Sequence, residues 1–112
     1  MPDQEREIII PRYKLIISYD VNPANHENYV RFVLSEFVPT LQEMGLYMTE
    51  AWHTAYGDYP LRMAGFVAED IETIQRLLGS DQWLELERRF QDYVRNYSLT
   101  VVPYRPGFQF IR

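Results

Sequence analysis

Histidine is the side chain best suited to moving protons near neutral pH, and this chain of 112 residues has two, His26 and His53. His53 sits in an aromatic stretch, AWHTAYGDYP, over residues 51–60. An imidazole in that setting suits general acid or base work, which makes His53 the candidate catalytic residue. The same residue also suits a hydrogen-bonded place inside the fold or at a subunit seam. A metal ion needs converging ligands. With two histidines far apart, no cysteine and no H-E-x-x-H, none is expected. No Gly-rich phosphate loop and no nucleophile elbow is present, and no cofactor is expected.

The second chemical resource is aromatic. Nine tyrosines, six phenylalanines and two tryptophans make up 15% of the chain. Tyrosine combines a large apolar body with one polar tip, so it serves pocket walls and interfaces as well as cores. Tyr19, Trp52, Tyr56 and Trp83 are the candidate ligand-binding residues, since the strand ends and a helix opening carry them. Aromatics at helical or strand spacing also simply build cores. Asp20 reads either as a turn residue or as an acid at the mouth of a site.

Periodicity gives the elements that carry these residues. Tyr13 to Tyr19 alternates as a strand. Asn22 and Pro23 then open a helix in which Tyr29, Val33, Phe37, Leu41 and Met44 recur at helical spacing. Pro39 interrupts that helix and Gly45 ends it. Leu46 to Tyr56 and Leu61 to Glu69 read as strands joined by a hairpin loop over Gly57 to Pro60. That loop pairs Tyr56 with Leu61, Trp52 with Gly65 and His53 with Ala64. Asp70 caps a short helix that stops at Gly79. Ser80 caps another, with Trp83, Leu86, Phe90 and Val94 on one face. Tyr97 to Tyr104 is the last strand, and Pro103 with Pro106 just beyond it suits a sheet edge.

The order is β-α-β-β-α-β, an α+β ferredoxin-like domain over residues 13–104, with an N-terminal arm, 1–12, and a C-terminal tail, 105–112. Its antiparallel sheet carries the helices on one face. Ile16, Ala64, Phe66, Ala68, Thr100 and Val102 are candidates for the other face. A sheet apolar on both sides needs cover on both, and a second copy packed sheet to sheet is the simplest cover.

Three segments carry a family resemblance: YDVNPANHENYVRFV, PTLQEMG and LLGSDQWLELERRFQDYV. With them the chain resembles the dimeric α/β-barrel superfamily, which includes antibiotic biosynthesis monooxygenase-like, NIPSNAP-like and stress-responsive A/B-barrel proteins. The resemblance implies a homodimer with facing sheets and a pocket between sheet and helices in each subunit. It spans cofactor-independent oxygenases, haem-degrading enzymes, cyclases and proteins of no known reaction. The haem-degrading members use a helix histidine on iron, and residues 81–95 contain none.

Other partners are argued against by charge and pattern. A net charge of −5 does not suit a phosphate-binding surface. The third strand, RMAGFVAE, matches the RNA-recognition pattern at Arg62, Gly65, Phe66 and Val67. It lacks the stacking aromatics at Ala64 and Glu69, so no nucleic acid is expected. Neither a membrane span nor a signal peptide is legible, and the absence of cysteine suits a cytoplasmic protein. Three functional readings stand: a small-molecule-binding protein with an aromatic-lined pocket for a small aromatic ligand, a cofactor-independent monooxygenase-like enzyme on an aromatic or polyketide-like substrate, and a structural homodimer without ligand. The dimer expectation is checked by sedimentation. At micromolar concentration the protein should run at twice its 13.4 kDa chain mass, and a monomer would refute it.

Overall fold

The computed structural model describes residues 10–54 and 61–105, apart from the side chains of residues 52–54 and 61. Four strands form one antiparallel sheet: β1 (Tyr13–Val21), β2 (Tyr47–Thr54), β3 (Leu61–Ala68) and β4 (Val94–Pro103), in the spatial order β2-β3-β1-β4. The helical segments are α1 (His26–Phe32), α2 (Val38–Glu43), α3 (Ile71–Leu78) and α4 (Asp81–Phe90). This is the ferredoxin-like α+β arrangement expected from the element order.

Local chemistry accounts for the helix boundaries. The Asn22 side chain accepts from the Ala24 N–H and Pro23 opens a short 3-10 turn before α1. Pro39 brings no break. The chain instead widens into a π-helical segment, Val33–Phe37, and resumes as α2 with Pro39 in its first turn, where a missing N–H costs least. Gly45 adopts a φ of 95°. Its N–H bonds to the Gln42 carbonyl and that of Leu46 to the Leu41 carbonyl, a paired stop that buries Leu46 with Leu41. Asp70 caps α3 and Ser80 caps α4. The last helix ends at Phe90, so Val94 is a strand residue and β4 begins three residues before Tyr97. Helical spacing from Phe90 to Val94 had concealed the change of element, because the first inward position of β4 demands the same kind of side chain.

The core lies between the helices and one face of the sheet. Leu15, Ile17 and Tyr19 of β1 and Ala64, Phe66 and Ala68 of β3 meet Phe37, Leu41, Ile74, Leu77, Trp83 and Phe90 there. Phe37 and Phe90 stack with centroids 4.7 Å apart, and Tyr19 meets Phe90 edge-on at 4.9 Å. Arg89 pairs with Glu36 and ties α4 to the π-helical segment.

Two expectations about the sheet need correction. Leu15 pairs with Phe66 and Ile17 with Ala64, so Ala64, Phe66 and Ala68 lie on the helix side. Ile16, Thr100 and Val102 keep the opposite face, where Ile16 and Val67 are buried outside the main core cluster. That face is also more polar than expected. It holds a Lys14–Glu50 ion pair, with Lys14 only 2% exposed, and a Ser18–Ser98 hydroxyl pair at 2.7 Å. The hairpin register differs as well. Thr54 pairs with Leu61, Trp52 with Met63 and His53 with Arg62, two residues away from the expected pairing, with an irregularity between Met48 and Glu50. A two-residue slip keeps the faces and changes the neighbours. Gly65 therefore lies opposite Glu50 and not opposite Trp52. The loop of the hairpin lies outside the described residues.

Gly65 is where the ion pair crosses β3. A Cβ there would lie 3.0 Å from Glu50 Oε1 and 3.1 Å from Lys14 Cδ. Gly65→Ala should destabilise the protein by about 1–3 kcal/mol through overpacking, read as a lower urea midpoint. An unchanged midpoint would show that the pair yields without cost.

Candidate functional site

The candidate site lies where β1 runs into α1. Antiparallel pairing sets Arg62 of β3 directly opposite Tyr19 of β1. One helical turn separates His26 from Tyr29, so both present the same side of α1 toward that strand end. The Tyr19 and Tyr29 hydroxyls are 2.6 Å apart in a buried hydrogen bond. The Arg62 guanidinium lies 5.3 Å from the Tyr29 ring centroid, and its Nη2 donates to His26 Nε2 at 3.0 Å. A guanidinium only donates, so Nε2 accepts and the ring proton sits on Nδ1. Val21, Pro23, His26 and Arg62 are the described walls of a cleft of about 320 Å³.

This arrangement favours binding and orientation over proton abstraction by the tyrosines. Burial pushes the Tyr19 phenol well above its ordinary value of 10.0. The adjacent Tyr29 phenol adds to that, and the Arg62 charge partly opposes it. Tyr19 is thus held neutral and serves as a hydrogen-bonding group. His26 Nε2 is engaged by Arg62, so the imidazole stands as a hydrogen-bonded wall of the cleft. Asp20 accepts from the Asn96 side chain at 2.8 Å and so ties β1 to the start of β4.

The residues singled out from sequence are dispersed. Tyr19 is part of the cluster. Trp83 is 2% exposed and packs 5.9 Å from Phe37 in the core. Position 53 stands opposite Arg62 and position 52 opposite Met63 in the strand ladder, and their side chains lie outside the described set, as does Tyr56 altogether. His26, Tyr29 and Arg62 were missed as site residues. A signal existed: Arg62 alternates with Ala64 and Phe66 on β3, a cation in register with core positions. A second groove of about 480 Å³ runs between the end of α2 and α3, lined by Gln42, Gly45, Thr73 and Arg76 among others. Among the described residues no three of His, Asp and Glu converge as metal ligands, and no helix is long and apolar enough to cross a membrane.

Fold and cleft together define a ferredoxin-like α+β domain with a cleft at a strand end. No family model and no curated protein matches the chain in sequence. Solved structures match it in fold, NIPSNAP-family proteins among them. An uncharacterised NIPSNAP domain protein from Burkholderia xenovorans superposes with a TM-score of 0.63 at 11% identity, over 88% of this chain and 99% of that one. A conserved protein from Methanosarcina mazei gives 0.65 at 14% identity, over 85% and 94%. A protein of unknown function from Bacteroides thetaiotaomicron, described as a possible oxidoreductase, gives 0.63 at 13% identity, over 84% and 98%. At such identities the likeness is one of fold.

The tyrosine pair generates a test. Tyr29→Phe removes one phenol and strands the other in the interior, which should cost about 1–3 kcal/mol. Tyr19→Phe together with Tyr29→Phe should cost clearly less than the two single changes summed, as a double-mutant cycle reads directly. Alkali gives an independent measure. The unfolded chain releases the Tyr19 proton near its ordinary value of 10.0 while the folded chain retains it. Ionisation therefore favours unfolding, and this contribution is full below that pH and declines above it. Tyr19→Phe should flatten the alkaline fall in urea midpoint.

Proposed function

We propose that the chain is a small-molecule-binding protein of the dimeric α/β-barrel type, with its site in the cleft between the end of β1 and the start of α1. The observation that carries this reading is the composition of that cleft. Two apolar walls, Val21 and Pro23, face two polar ones, His26 and Arg62, at the mouth of a buried aromatic cluster. Ligand pockets have this character: a mostly apolar surface with a few polar groups that fix orientation. Tyr19 contributes from behind through its bond to Tyr29. The pairing of position 53 with Arg62 supports a place for His53 at the same end, with Tyr56 beside it in the proposed aromatic surround, whereas position 52, opposite Met63, is in register with the other sheet face and is not proposed for the cleft. A second copy is the proposed cover for the other sheet face, where Ile16, Val67 and Val102 accompany the Lys14–Glu50 pair.

The enzyme reading, a cofactor-independent monooxygenase on an aromatic substrate, draws on a single fold neighbour described as a possible oxidoreductase. A thermal-shift panel of small neutral, cationic and anionic aromatic molecules, with flavin and haem beside them, separates the readings. A ligand at about 100 times its Kd adds about 2.7 kcal/mol to folding stability. At least one small aromatic should raise Tm, and Val21→Trp, which fills the cleft, should abolish that rise. A panel without any rise would overturn the binding reading in favour of a structural dimer.

A further inference from the structure

Arg62 is the one basic residue of β3, and it is half-buried between the sheet and α1. Its described contacts are all with uncharged groups: the acceptor nitrogen of His26 and the face of Tyr29. Its Nε is buried and has no hydrogen-bond partner among the described residues. The ion pairs among the described residues join Lys14 to Glu50, Arg88 to Glu85 and Arg89 to Glu36, and none includes Arg62. The chain has sixteen acidic side chains against eleven lysines and arginines, so a carboxylate partner for a structural arginine is easily found elsewhere on it. A half-buried cation without an anionic partner among the described residues is costly to the fold, and an anion entering the cleft would offset that cost.

We propose that the cleft receives a small carboxylic acid with an apolar body, its carboxylate accepting from the guanidinium of Arg62 and its apolar part lying against Val21 and Pro23. This deepens the binding reading and rests on it. A planar guanidinium matches the two oxygens of a carboxylate. One positive charge balances one negative charge, and Arg62 is the one arginine or lysine among the described walls, which favours a carboxylate over a phosphate dianion. The cleft of about 320 Å³ lies at the small end of ligand pockets, the size for a monocyclic acid.

The test is titration of the full-length protein with phenylacetate and with its uncharged counterpart phenylacetamide. Wild type should bind the acid about 10- to 100-fold more tightly than the amide, the worth of a charge-assisted hydrogen bond. Arg62→Gln should erase that preference, and Arg62→Lys should keep part of it, because a point charge remains without the planar fork. Equal binding of acid and amide by wild type, or a preference that survives Arg62→Gln, overturns the proposal. The wild-type comparison stands by itself if a variant fails to fold. If the aromatic panel finds only neutral or cationic ligands, the carboxylate assignment falls while small-molecule binding survives. If nothing in the panel binds, both fall.

Discussion

Leu15 pairs with Phe66 and Ile17 with Ala64 across the two central strands, and the placement of the other layers hangs on the parity of that register. It sends Ala64, Phe66 and Ala68 under the helices and sets Arg62 in the same alternating row, beside Tyr29. A slip of one residue would exchange this row for Met63, Gly65 and Val67 and leave the helices without a floor. The opposite face reinforces the register. Lys14 reaches over Gly65 to Glu50, a crossing that an added Cβ would crowd. A buried ion pair adds little net stability, because both charges lose water. The pair also belongs to this register, since a one-residue slip would put Lys14 and Glu50 on opposite faces.

The helical layer is fitted to that floor through aromatic contacts. Phe37 stands in the π-helical segment, stacks on Phe90 of α4 and meets Phe66 of β3 edge-on. The extra residue of a π turn rotates the turns C-terminal to it. Phe37 and Leu41 both come into the interior while Pro39 avoids the loss of a backbone bond. The first part of the same helical run carries His26 and Tyr29. The path that packs Phe37 therefore also fixes the wall of the cleft, and core and site share one constraint.

Much of the architecture was legible from residue types. Asn22, Asp70 and Ser80 announced helix starts, Gly45 and Gly79 announced stops, and alternation from Tyr13 onward announced the central strand. The site was legible only in fragments. Tyr19 was singled out for its place at a strand end and does join the cluster. His26 lies in the first turn of α1 with its side chain exposed, yet it meets an arginine thirty-six positions away. Trp83 was weighed for a pocket because it opens a helix, and the same opening, capped by Ser80, turns it into the core. Rarity drew attention to His53, whereas the informative residue on the neighbouring strand was a cation in a row of apolar positions.

The part of this protein written directly in its residues is local: which stretches are helix or strand, where caps and glycines bound them, and how the elements succeed one another as β-α-β-β-α-β. Interactions within a few residues set these features, so composition and spacing suffice. Three outcomes needed the assembled fold: which face of β3 meets the helices, which strand residue lies opposite Gly65, and that Arg62 meets His26 and Tyr29. They depend on pairing between strands far apart in the chain. There the side-chain period of two makes the alternatives mirror one another locally, and only the packing of the whole core distinguishes them.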